Sequence, residues 1–232
     1  MEQAMQTHLP FKVGQSIHND GKKHCSDWFD FKIPQGEEFF HKGCGFAFAC
    51  AASPSLKAKE NNQTVVRSFL LDYYSTPKTW NIDESIQKVV RSLNGWLNAQ
   101  NQYSQHEEDN KQCKFVAVIL LETQAFIINV GGVPMYLFRN NAIDSNCFKT
   151  KLERPLGSSL ICISQLTVQE ISSGDVLILA NSVLNEHICQ SDLLALIQKR
   201  DDDLNHTAYA IVKKIKHAGL GALNSCALIE VL

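Results

Sequence analysis

Three strand-length apolar runs follow one another with almost nothing between them: KFVAVILLE (114–122), QAFIINVG (124–131) and PMYLFRN (134–140). A parallel crossover needs a dozen or more residues, so runs this close pair as an antiparallel meander. The helical signals do not alternate with strands but come in pairs. In QTVVRSFLLDYY (63–74), Val66, Phe69, Leu70 and Tyr73 fall at helical spacing. In NIDESIQKVVRSLNGWLNAQ (81–100), Ile82, Ile86, Val89, Val90, Leu93, Trp96 and Leu97 form a wide apolar stripe. A second pair reads over 191–200, with Ser191 as N-cap, and over 205–219, ending in a glycine cap signal. Strands in runs and helices in pairs predict an α+β layered sandwich rather than alternating β-α-β.

The remaining strand signals fit that class. FKVGQSIH (11–18) and DWFDFKIP (27–34) alternate and read as a pair about the turn-prone NDGKKH. GFAFACAA (45–52) is a continuous apolar run, as in a buried strand. SLICISQLTVQEI (159–171), DVLILAN (175–181) and SCALIEVL (225–232) complete the set, and QNQYSQHEEDNKQ (100–112) reads as a polar loop.

With 232 residues, 44% of them hydrophobic, the chain suits one large domain over 11–232 behind a short tail, 1–10. A net charge of -2 gives no broad basic field, which disfavours nucleic-acid and anionic-membrane binding. No stretch suits a signal peptide or approaches the ~18 apolar residues of a spanning helix. The eight cysteines form no C-x-x-C pair, and Cys50, Cys162 and Cys226 sit inside apolar runs. Reduced thiols and a cytoplasmic location are expected.

Six segments carry a family resemblance: GKKHCSDWFDF (21–31), FAFACAAS (46–53), FIINVGGVPMYLFR (126–139), LERPLG (152–157), SGDVLILANSVLNE (173–186) and LNSCALIEVL (223–232). Their order and character resemble the metal-dependent serine/threonine phosphatases of the protein phosphatase 2C type. The similarity is nearest to the phosphatase heads of bacterial bifunctional kinase/phosphatase proteins, with 68–100 particularly alike. No kinase signature follows. The resemblance implies a four-layer α-β-β-α sandwich of two mostly antiparallel sheets flanked by helix pairs.

It also implies a dinuclear Mg²⁺ or Mn²⁺ centre between the sheets, which activates the attacking water. Those ions need hard oxygen ligands, chiefly carboxylates. At the matching positions this sequence has Trp28, Cys50, Gly132, Ser182 and Ala222 (Leu223 if the match slips by one), and Ala51 replaces a glycine whose carbonyl helps hold the metal. Indole and thiol are poor partners for these ions. The implied function is a pseudophosphatase without cofactor, working as a regulatory or protein-binding module. The alternative is a divergent active phosphatase, and only that alternative requires Mg²⁺ or Mn²⁺.

Other residues stay open. Asp27 and Asp30 are either misaligned ligands or exposed acids on a strand. Lys22 and Lys23 lie near the family's phosphate-binding arginine and are phosphate-binding candidates, with surface turn lysines as the plain reading. Arg154 is expected to pair with a nearby acid rather than line the cleft. Asp175, after Gly174, is expected to shape a turn. Cys50 with a histidine is a thiolate or zinc candidate, and an inert buried thiol is its alternative. The expected partner is a protein: a phosphoprotein, a kinase, a related phosphatase or a second copy.

Overall fold

The computed structural model describes residues 11–17, 26–50, 56–104, 111–144, 154–216 and 224–232. The expected tail 1–10, Lys22, Lys23, Ala51, Ala222 and the cap signal at Gly219 lie outside the described residues.

Two five-stranded antiparallel sheets form the centre. The first contains β1 (Phe11–Ile17), β6 (Met135–Arg139), β7 (Ala142–Asp144), β9 (Val176–Ala180) and β10 (Ser225–Val231), in the order β1-β10-β9-β6-β7. The second contains β2 (Trp28–Lys32), β3 (Cys44–Cys50), β4 (Lys114–Leu121), β5 (Gln124–Val130) and β8 (Gln165–Glu170), in the order β2-β3-β4-β5-β8. The meander therefore splits. β4 and β5 pair in one sheet, and β6 crosses to the other through the Gly131–Gly132 turn, where φ is 80° and 73°.

Period-two alternation then builds three cores. Even residues of β3 and β4, such as Phe46, Phe48, Val116 and Val118, meet Leu177, Leu179, Ala227 and Ile229 between the sheets. Odd residues, such as Ala47, Ala49, Phe115 and Ala117, face α2 (Leu56–Ser75) and α3 (Ile82–Gln102). On the far side, Val176, Ile178, Cys226 and Leu228 meet α4 (Ser182–His187), α5 (Gln190–Gln198) and α6 (Leu204–Lys216). The result is the four-layer α-β-β-α sandwich. Burial of each large side chain in these layers contributes about 1.5–3 kcal/mol.

Several local expectations need correction. β1 and β2 do not form a hairpin: β1 pairs with β10 and β2 with β3, in different sheets. At Gly14 of β1 the backbone of Leu204 in α6 comes so near that a Cβ would lie 2.3 Å from it. The strand expected over 159–171 is confined to β8, since Asn94 of α3 binds the carbonyls of Ser159 and Leu160 and holds that segment off the sheet. The N-cap of α5 is Cys189 rather than Ser191. A short helix α1 (Glu37–Lys42) and α4 carry no apolar period long enough to be read. No helix among the described residues is long and apolar enough to cross a membrane.

Candidate functional site

Strand register assembles the site. Trp28 pairs with Ala49, Cys50 with Lys114, and Phe115 with Val130. One step further along these ladders, Asp27, Cys50, Lys114 and Gly131 form a row across one end of the second sheet. The facing sheet ends at the same level with Asn181 and Ser225, joined by an Asn181 N–H···O=C Ser225 bond of 3.3 Å.

Side chains from the two rows meet. Asp27 is 4% exposed and accepts from Asn181 Nδ2 at 2.9 Å and from the Ser225 hydroxyl. Asn181 also caps α4, its Oδ1 accepting from Leu184 N–H at 3.0 Å. Lys114 Nζ donates to Ser182 Oγ at 3.0 Å. Both contacts run from one sheet to the other. Cys50 lies in the apolar layer between the sheets at 2% exposure, and Val133 joins it there.

This geometry corrects the reading of Trp28. Asp27, Phe29 and Phe31 occupy one face of β2 and Trp28 and Asp30 the other. Trp28 packs against the helix-side core, with Arg67 Cζ and Lys59 Nζ of α2 5.4 Å and 5.9 Å from its ring centroid. The residue of this segment that enters the space between the sheets is Asp27, so Asp27 is not an exposed acid. Asp30 faces α2, near Arg67 Nε at 3.8 Å, and its Oδ1 accepts from the Phe31 N–H at 2.9 Å. The alternation in SDWFDF was the signal that distinguishes Asp27 from Trp28.

Gly132 sits in the β5–β6 turn at φ 73°, a conformation that resists most side chains. Asn129 clasps that turn, accepting from Val133 N–H at 2.9 Å and donating to its carbonyl at 2.7 Å. Gly131 brings the backbone against the Lys114 stem, where a Cβ would lie 3.2 Å from Lys114 Cγ. Asn224 is fully buried and neither end of its amide has a partner among the described residues, an arrangement costing about 1–3 kcal/mol per group. On strand alternation it faces the helices with Cys226 rather than the inter-sheet space.

Asp175 does the expected turn work. It accepts from Ser172 N–H at 2.8 Å and from Arg139 Nε at 2.9 Å and Nη2 at 2.5 Å. Arg154, expected to pair with an acid, is instead exposed and has no ion pair among the described residues. The Asp201–Asp203 cluster is a solvated loop, with Asp202 on Lys12 at 2.7 Å and Asp203 capping Asn205 N–H at 2.9 Å.

No protein-family model matches the sequence, and neither does any curated protein. Solved structures do match in fold. A serine/threonine phosphatase, Stp1, from Staphylococcus aureus superposes with a TM-score of 0.77 at 10% identity, covering 100% of this chain and 99% of that one. The Mycobacterium tuberculosis serine/threonine phosphatase PstP/Ppp gives 0.72 at 13% identity, over 95% and 98%. The catalytic domain of PstP in complex with two manganese ions gives 0.71 at 14% identity, over 94% and 96%.

The fold is that of the protein phosphatase 2C type.

Within that phosphatase fold, the residues at this end do not suit a dinuclear hard-metal centre. Among the described residues no group of three or more His, Cys, Asp or Glu side chains stands where it would hold a metal ion. The undescribed stretches 51–55 and 217–223, which continue from β3 and lead into β10, contain no Asp or Glu. Among the described residues at this end one carboxylate, Asp27, is present, and it already accepts two side-chain hydrogen bonds. An ammonium beside position 182 repels a dication placed there.

Proposed function

We propose that this chain is a catalytically silent phosphatase-fold domain that acts as a regulatory module by binding another protein. The observation carrying this reading is the composition of the inter-sheet end among the described residues: Cys50, Ser182 and the Lys114 ammonium, with Asp27 as the one carboxylate. Two dications there lack the negative charge to offset their mutual repulsion. The cross-sheet hydrogen bonds of Asp27 and Lys114 give this end a means of closing without ions.

The proposed partner is a phosphoprotein, a kinase or a related phosphatase in a signalling system. The free thiols of Cys44, Cys113, Cys162, Cys189 and Cys226 support a reducing, cytoplasmic setting. The net charge of -2 argues against nucleic acid as the partner.

One observation favours a second reading, a divergent active phosphatase: Asp27 is a carboxylate buried between the sheets. Hydrolysis of p-nitrophenyl phosphate, measured with Mn²⁺ added and with EDTA, decides between the two. The pseudophosphatase reading expects background turnover in both, and Mn²⁺-dependent turnover well above background overturns it.

A further inference from the structure

We infer that Lys114 and Ser182 form a metal-free oxyanion site spanning the two sheets, suited to a phosphate group. The inference rests on the non-catalytic reading and names the ligand chemistry of the same cleft.

An ammonium has three donors. Lys114 uses one, on a neutral hydroxyl, and no carboxylate lies within ion-pair distance of it among the described residues. Its charge is part-buried and, among the described residues, has no close counter-charge. Ser182 Oγ accepts from Lys114, which leaves its own proton free to donate outward. Two donors thus stand 3.0 Å apart, both half-buried and both accessible in part. The lysine stem runs close to Gly131, where an added Cβ would lie 3.2 Å from its Cγ. A charged donor next to a neutral one is the pairing that favours an anionic oxygen acceptor.

Replacing the carboxylates of a cation cradle with one ammonium reverses the sign of the ligand the cleft attracts. Asp27 moderates the effect. It lies two strands from Lys114 on the same level, about 10 Å away, and is engaged by Asn181 and the Ser225 hydroxyl. Binding is therefore weak for a free ion and is strengthened by whatever peptide carries the phosphate.

The test is a calorimetric titration of the full chain in EDTA with three probes: inorganic phosphate, a phosphoserine peptide and the same peptide with serine. Phosphate and the phosphopeptide are expected to bind and the serine peptide is not. Tighter binding of the phosphopeptide identifies a protein source, and equal binding identifies free phosphate. Lys114→Met is expected to weaken binding at least about tenfold, Lys114→Arg to retain it, and Ser182→Ala to weaken it about two- to fivefold. Should Lys114→Met not fold, Lys114→Arg and Ser182→Ala still report, together with the rise in wild-type melting temperature on adding phosphate. The site is overturned if wild type binds neither phosphate nor phosphopeptide, or if Lys114→Met binds as wild type does. Neither result touches the non-catalytic reading, which fails separately if Mn²⁺-dependent hydrolysis is seen.

Discussion

Two lysines enter the interior of this protein on opposite terms. Lys42, at the end of α1, is 1% exposed and its Nζ has three neutral acceptors: Thr76 Oγ1 at 2.6 Å, the Pro77 carbonyl at 3.1 Å and Ser85 Oγ at 3.2 Å. Its ammonium also lies 5.4 Å from the centroid of the Tyr73 ring. Lys114, at the inter-sheet end, has one acceptor and keeps part of its surface in solvent. The first lysine is fully used in joining α1 to the α2–α3 connection. The second has donors to spare. A buried charge whose hydrogen bonds are complete belongs to the fold, and one whose hydrogen bonds are incomplete is available for a ligand.

The contrast predicts unequal costs. Lys42→Ala removes a fully buried side chain together with its three hydrogen bonds, and is expected to destabilise by about 3 kcal/mol in urea unfolding. Lys114→Ala, measured the same way, is expected to cost less than about 1 kcal/mol. Equal costs would erase the distinction between the two regions.

Asp27→Ala comes next. It leaves Asn181 Nδ2 and the Ser225 hydroxyl without their shared acceptor between the sheets, for an expected loss of about 2 kcal/mol. A stability unchanged by this substitution would mean that the cross-sheet contact does not hold the end closed.

Burial also lowers the pKa of Lys42 from its ordinary 10.5, with Glu38 opposing more weakly. The folded state therefore disfavours the proton relative to the unfolded chain. This penalty is in full force below the lowered folded value and fades as pH rises from there to 10.5. Comparison with Lys42→Met isolates it from the cysteines and tyrosines that titrate in the same range. The stability difference is expected to move in favour of wild type as pH climbs through that window, and a flat difference would show that Lys42 binds its proton equally well folded and unfolded.

The smallest effect is expected at Ser182. Ser182→Ala is expected to leave stability within about 0.5 kcal/mol of wild type, because the hydroxyl is part-exposed and its loss frees Lys114 to water.

Much of this layout was legible in the sequence. The closely spaced runs from 114 to 140 and the paired helices fixed the fold class, because connection length and period leave few topologies. The partnering of β1 and β2 was not legible, since adjacency around a turn looks the same whether two strands pair or diverge. At the site, Cys50 and Ser182 stand at or just past the ends of readable apolar strands, which is where the segments around them put them in the chain. Trp28 was misplaced because matching residues in a line ignores which face each side chain takes, and one step along β2 exchanges the cleft for the helix layer. Lys114 was missed altogether. It opens a strand whose other residues are apolar, and only register across β3 and β4 puts it beside Cys50. The Asn181 cap was readable in principle, as an asparagine directly after an apolar strand.

The central claim is that the end of the sandwich that the resemblance assigns to a pair of Mg²⁺ or Mn²⁺ ions no longer binds them. Isothermal titration of the purified, EDTA-treated chain with Mn²⁺ tests it most directly. The account predicts no saturable uptake in the micromolar range, and tight binding of two manganese equivalents would contradict it.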